Sequence, residues 1–280
     1  MREIHVSKIV ETVKRLCIDS NYYLNDDIRE RLKDSKDKEI FPVAQNILDI
    51  ILENADIAKN ENMPMCQDTG MAIVFLEIGQ DVHITGGSIE DAVNEGVRQG
   101  YSEGYLRKSV VGDPIERINT KDNTPAIIHY SIVPGDKLKI IVAPKGFGSE
   151  NMSQLKMLKP ADGIEGVKDF VLKVVKEAGP NPCPPIVVGI GIGGTFEKAA
   201  FLAKKALLRP VDVRNSNPYY AKLEEELLEK INSLGIGPQG FGGRTTALSV
   251  NVETYATHIA GLPVAVNINC HATRHAEAVL

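Results

Sequence analysis

Residues 180–208 read PNPCPPIVVGIGIGGTFEKAAFLAKKALL. Prolines on both sides of Cys183 stop regular structure there. The apolar run Ile186–Gly194 that follows suits a strand with little water on either face. From Phe196 to Leu208, alanines and leucines recur at helical spacing with lysines between them. Strand, glycine-rich turn and helix in that order mark an α/β chain.

Working outward, helical periodicity dominates the first sixty residues. Ile4, Ile9, Val10, Val13 and Leu16 form one stripe of an expected N-terminal helix. Asn25, Asp26 and Asp27 cap a short second helix. Pro42 opens a third, with Val43, Ile47, Ile50, Ile51 and Leu52 as its stripe. MAIVFLEI (71–78) reads as a strand, and Ser88 with Asp91 as a capping box opening a helix to about Tyr105. Residues 126–133 and 138–143 are expected to pair as a hairpin across Pro134-Gly135-Asp136. Helices are expected at 163–178 and 218–234, a loop at GPQGFGGRTT (237–246), and strands at 246–253 and 263–268. His271, Arg274 and His275 then read as a solvated helix face. There is no repeat, low-complexity tract or long linker. The expectation is a single mixed α/β domain over residues 1–280, with several short sheets and flanking helices.

Hydrophobic residues make up 43% and charged residues 25% of the chain, with a net charge of −5. That balance excludes a nucleic-acid footprint. An anionic substrate has to be met by local Arg and Lys. No apolar run approaches the roughly 20 residues that span a bilayer, and the N-terminus is amphipathic rather than signal-like. A cytoplasmic protein is expected.

The four cysteines are Cys17, Cys66, Cys183 and Cys270. So few thiols do not make a disulfide scaffold. Cys17 lies inside the N-terminal stripe and reads as a small core residue. The other three lie at the mouths of elements, in MPMCQDTG, PNPCPP and NINCHATRH, where ligand sites belong. No C-x-x-C occurs, so spacing alone leaves core filler and ligand both open for these three.

The segments MPMCQDTGMAIVF, LRKSVV, PKGFGSEN, the 180–209 stretch and HIAGLPVAVNINCHATR together resemble class I fumarases and the α subunits of their two-chain relatives, the L-tartrate dehydratases among them. The similarity runs from about residue 62 to 274. It implies a 4Fe–4S cluster held by Cys66, Cys183 and Cys270, with one iron lacking a cysteine ligand, and hence a non-redox hydro-lyase acting on a C4 dicarboxylate. Such an iron serves as a Lewis acid toward a leaving hydroxide. It further implies that Gln67, Arg107 and the Gly146–Gly148 backbone contact substrate, and that Asp68 and His258 take part in proton handling. The sequence ends ten residues after Cys270, and it shows no counterpart of the family's second domain. The resemblance therefore implies a separate β subunit, an α2β2 assembly and the reversible hydration of fumarate to L-malate. L(+)-tartrate dehydration is the alternative.

Blander readings stand beside these. Asp68 suits a turn in D-T-G, Arg107 a solvated helix end, and His258 a core histidine. Gly189, Gly191 and Gly194 fit the dinucleotide pattern G-x-G-x-x-G after a strand and before a helix, which makes an NAD-binding dehydrogenase a rival. No acidic residue ends a second strand about 20 positions later, where the sequence reads LLRPVDVRNSNP. Close backbone packing explains the glycines equally well. A non-catalytic binding module is the other rival.

Overall fold

The computed structural model describes all residues 1–280. In chain order the first elements are β1 (Arg2–His5), α1 (Val6–Tyr22), α2 (Asp26–Lys38), α3 (Pro42–Glu61), β2 (Met71–Gly79), β3 (Val82–Thr85) and α4 (Ile89–Glu103). Next come β4 (Ile127–Val133), β5 (Leu138–Lys145), α5 (Phe147–Glu150), β6 (Gln154–Leu158), α6 (Gly163–Ala178) and β7 (Ile186–Gly193). The last are α7 (Phe196–Ala206), α8 (Pro218–Asn232), β8 (Ala247–Tyr255), β9 (Leu262–Asn269) and β10 (Ala276–Val279). The expected mixed α/β class, with short sheets and flanking helices, is what the chain adopts. No helix is long and apolar enough to cross a membrane. The residues group into two compact units: one of residues 1–24, 55–147 and 274–280, and one of residues 25–54 and 148–273.

In the first unit, a four-stranded sheet has the order β10-β5-β2-β4, and β1 pairs in parallel with β3. Two expectations fail here. Ile4 does not open the first helix: it lies on β1, and His5 caps α1 by accepting from Ser7 N at 3.2 Å. β4 and β5 do not form a hairpin either, because β2 lies between them, parallel to β4 and antiparallel to β5. The Pro134-Gly135-Asp136 reversal is bridged by the end of β2, with Gly79 N on Lys137 O, Gln80 N on Val133 O and Asp81 N on Gly135 O. The physical reason is burial: from Ala72 to Leu76 every β2 residue is buried, so the strand gains most in the middle of a sheet.

Helix α1 packs on α4 through Ile9, Val13, Leu16 and Cys17, all buried at helical spacing. Gly96 and Gly100 let the helices approach closely. A methyl at Gly100 would meet Cys17 Cβ at 2.8 Å and Lys14 O at 2.9 Å. Cys17 is therefore core filler at a tight helix crossing. Ser88 caps α4 as expected, accepting from Asp91 N at 3.3 Å.

In the second unit the sheet order is β6-β9-β7-β8, with β7 parallel to β8 and antiparallel to β9. The alternation of isoleucine and glycine in β7 has a two-faced cause. Ile186, Val188, Ile190 and Ile192 face the core with Val167, Phe170, Val171 and Val174 of α6 and Leu223, Leu227 and Ile231 of α8. Gly189 and Gly191 face α7, and a methyl on either would overlap the carbonyls of Ala203 and Ala199. These glycines serve close strand–helix contact, the structural role weighed against the dinucleotide reading. The NCHATRH stretch is not a helix: it is a turn leading into β10, which pairs with β5.

Candidate active site

Cys66 lies in the first unit, half-buried, in the turn between α3 and β2, and its Sγ is 3.5 Å from the Oε1 of exposed Gln67. The chain beyond it is gripped at three successive carbonyls. Asp68 O accepts from Arg274 Nη2 at 2.6 Å, and Thr69 O and Gly70 O accept from the Tyr101 hydroxyl at 2.8 and 3.0 Å. Asn123 Nδ2 also donates to Gly70 O, at 3.2 Å. Tyr101, Asn123 and Arg274 are all buried. Burial holds the Tyr101 phenol well above its ordinary pKa, so it remains a donor. Arg274 is thus a buried support rather than a solvated residue. Its Nε also donates to Asn21 Oδ1 at 3.2 Å, and the packed polar partners make that burial tolerable.

The Asp68 carboxylate is fixed at both oxygens. Oδ1 accepts from Gly70 N at 3.0 Å, which is the turn that D-T-G favours. Oδ2 accepts from Phe147 N at 2.9 Å. An amide of the KGFGSEN loop therefore does meet an oxygen, but that oxygen belongs to Asp68. A methyl at Gly146 would lie 3.1 Å from the same Oδ2, so the loop has to be small there. Gly148 belongs to the second unit and is exposed.

The backbone of Arg107 is placed by the Cys66 segment. Its N donates to Thr69 Oγ1 at 2.9 Å, and that hydroxyl donates back to Arg107 O at 3.1 Å. The side chain is exposed and forms no ion pair, past the end of α4 rather than on it. The Arg107 backbone is fixed while its planar guanidinium remains exposed, a group whose fork suits carboxylates in general.

In the second unit, Cys183 and Cys270 come together although 87 residues separate them. The antiparallel register pairs Val187 with Asn269, so the start of β7 lies beside the end of β9. Past the strand ends, His271 N donates to Cys183 O at 3.2 Å. Cys183 is exposed, between buried prolines, on a turn closed by its own N–H to Pro180 O at 3.0 Å, with φ 54°. Cys270 is half-buried.

His258 is at the other end of that sheet. It is exposed in the turn after β8, where Gly261 N donates to its carbonyl, and neighbouring Thr257 donates to Gly194 O at 2.9 Å. The eight residues of β9 span about 26 Å between this turn and Cys270. The fold therefore does not bring His258 to Cys183 and Cys270 within one chain, and His258 is no core histidine.

The thiol chemistry separates the four cysteines. Burial pushes the Cys17 thiol up to about 12, which removes it as a ligand near neutral pH. Cys66, Cys183 and Cys270 lie instead at loop mouths, Cys183 exposed and the other two half-buried, where a thiol can react or bind as the buried Cys17 cannot. Tyr101 and Asn123 carry no local signal in the sequence, because the Thr69 and Gly70 carbonyls they hold lie far away in the chain. Arg274, expected on a solvated helix face, has only its proximity to a cysteine segment as a signal, which does not separate support from solvation.

Residues 10–279 match the family model described as fumarate hydratase (Fumerase). A Methanocaldococcus jannaschii protein named "Putative L(+)-tartrate dehydratase subunit alpha" is 48% identical over 275 residues, covering 96% of each chain. The L(+)-tartrate dehydratase subunit alpha of Escherichia coli K12 is 34% identical over 273 residues, covering 96% of this chain and 89% of that one. With most of its length matched in this way, the chain belongs to the fumarate hydratase (Fumerase) family of hydro-lyases.

Proposed function

We propose that this chain is the α subunit of an iron–sulfur hydro-lyase acting on a C4 dicarboxylate, completed by a separate β subunit. The observation that carries the proposal is the convergence of Cys183 and Cys270 at one end of the two inner strands β7 and β9, with Cys183 exposed and Cys270 half-buried. Cys66, Cys183 and Cys270 are the proposed ligands of a 4Fe–4S cluster that leaves one iron without a cysteine. When bound, the cluster supplies a Lewis acid for the departing hydroxyl. The relatives' names as alpha subunits support a β partner, and α2β2 is the proposed assembly. The proposed location is the cytoplasm.

The chain's own residues have the following roles. Arg107 pairs with a substrate carboxylate through its fork. Gln67 hydrogen-bonds substrate beside Cys66. Gly146 and Gly148 keep the KGFGSEN loop small enough for backbone to approach an anion. Asp68, oriented by Gly70 N and Phe147 N, retains acceptor capacity to share a proton with a base from the β subunit. In dehydration the base takes the C3 proton, the C–O bond at C2 breaks, and the electron pair of the C–H bond forms the double bond. His258 lies a strand's length from Cys270, so its proton-handling role requires a site shared with another copy of the chain.

Two substrates have separate support. The family model and the sequence resemblance favour fumarate and L-malate. The names of the relatives favour L(+)-tartrate. The two differ by one hydroxyl, which a pocket reads through individual hydrogen bonds. Anaerobic reconstitution of the chain, co-expressed with its β subunit, tests the proposal. The expected result is about four irons per α chain and hydration of fumarate or dehydration of L(+)-tartrate. A folded complex without iron and without either activity would refute it.

A further inference from the structure

The β7–β9 ladder ends at Val187 and Asn269, short of both Cys183 and Cys270. What holds the two cysteine segments beyond that point is the loop GPQGFGG, which the proposed chemistry leaves unused. Its Gln239 has φ 53° and ψ 16°. A non-glycine side chain occupies that left-handed region only when its surroundings hold it there. Gly237 and Gly240, close by on either side, also have positive φ, so a glycine at 239 would fit the backbone better.

The side chain accounts for the exception. Gln239 N and Gln239 Nε2 both donate to Pro184 O, each at 2.8 Å. Nε2 also lies 3.0 Å from His271 Nδ1. The amide has two hydrogens, and this arrangement uses both if Nδ1 is the acceptor and the imidazole proton is on Nε2. Cys183 O then takes its hydrogen from His271 N at 3.2 Å. In the other tautomer Nδ1 itself donates to Cys183 O, 3.0 Å away, and Gln239 still holds Pro184 O. The result is a closed ring of contacts through Gln239, Pro184, Cys183 and His271, just past the strand ends.

We infer that Gln239 is a positioning residue that locks the Cys183 and Cys270 segments together, fixing the placement of two ligand thiols before any cluster arrives. Supports of this kind set how well a first ligand shell is pre-organised. The inference rests on the proposal that Cys183 and Cys270 are ligands.

Two variants of the full chain test it. Gln239→Glu keeps the size but presents an acceptor to Pro184 O. Gln239→Gly relaxes the left-handed backbone and removes only the side chain, which guards against a folding failure. Amide hydrogen exchange of the iron-free chain is measured for the segment containing His271 and for β7. Iron release to a chelator is measured on the reconstituted chain. The expected result in both variants is roughly tenfold faster exchange at the His271 segment with β7 unchanged, and several-fold faster iron release. Unchanged exchange and unchanged iron release would overturn the inference while leaving the ligand assignment intact. Faster exchange alongside a wild-type chain that takes up no iron even when co-expressed with its β subunit would refute the ligand assignment, and the positioning role with it.

Discussion

The Cys66 segment and the Cys183–Cys270 pair are held by different means. Cys66 is followed by three carbonyls captured by side chains distant in sequence: Tyr101 lies 32 residues from Thr69, and Arg274 lies 206 from Asp68. Cys183 and Cys270 are aligned by strand register, and one strained residue, Gln239, continues that alignment past the ladder. The first arrangement spreads its support over buried polar groups, each costly to leave unpaired. The second concentrates support in backbone geometry and a single amide. The first loop should therefore respond to loss of any buried donor, and the second mainly to loss of Gln239.

The largest expected effect strikes both regions alike. Cys66→Ser, Cys183→Ser and Cys270→Ser should each abolish iron retention after reconstitution, whereas Cys17→Ala should retain it. Iron content and the visible spectrum read this out. A Cys17 variant that loses iron like the other three would break the division between core and ligand thiols.

A smaller effect sharpens the comparison. Tyr101→Phe removes one hydroxyl that serves Thr69 O and Gly70 O, and should cost about 1–2 kcal/mol in urea denaturation. Hydrogen exchange should quicken around residues 66–70 and leave the His271 segment unchanged. Equal quickening in both regions would show that their supports are not separate.

The smallest expected effect is in pH dependence. Burial raises the Asp122 pKa, but hydrogen bonds from Thr124 N, the Thr124 hydroxyl, Arg98 and Thr120 outweigh it and hold the carboxyl at about 2, against an ordinary 3.8. A depressed carboxylate stabilises the fold above its unfolded pKa, and that contribution fades as pH falls through the folded value. Asp122→Asn should therefore be less stable than wild type at pH 5, and the gap should close between about pH 4 and pH 2. Urea midpoints across that range check it, and a gap that widens on acidification would reverse the assignment.

Much of the fold was legible because the relevant signals are local. The Ser88 cap, the 163–178 helix and the β7-turn-α7 unit were readable from spacing and turn residues. The hairpin was misread because Pro134-Gly135-Asp136 reports a reversal and not which strand lies beside it. Arg274 was misread because an arginine near a chain end is solvated by default, and its burial depends on Asn21 and Asp68 far away in sequence. For the site, the loop setting of Cys66, Cys183 and Cys270 and the core setting of Cys17 could be read directly.

By itself the sequence determined the family, the α/β class, the elements with clear periodicity and the difference between one buried and three loop cysteines. Those properties depend on residue type and short-range spacing. Only the tertiary structure decided that β2 separates β4 from β5, that strand register joins Cys183 to Cys270, that His258 lies a strand's length from Cys270, and that Gln239 closes the ring around His271. Strand partners and long-range hydrogen bonds are chosen by burial and geometry among residues far apart in the chain, and no local pattern encodes that choice.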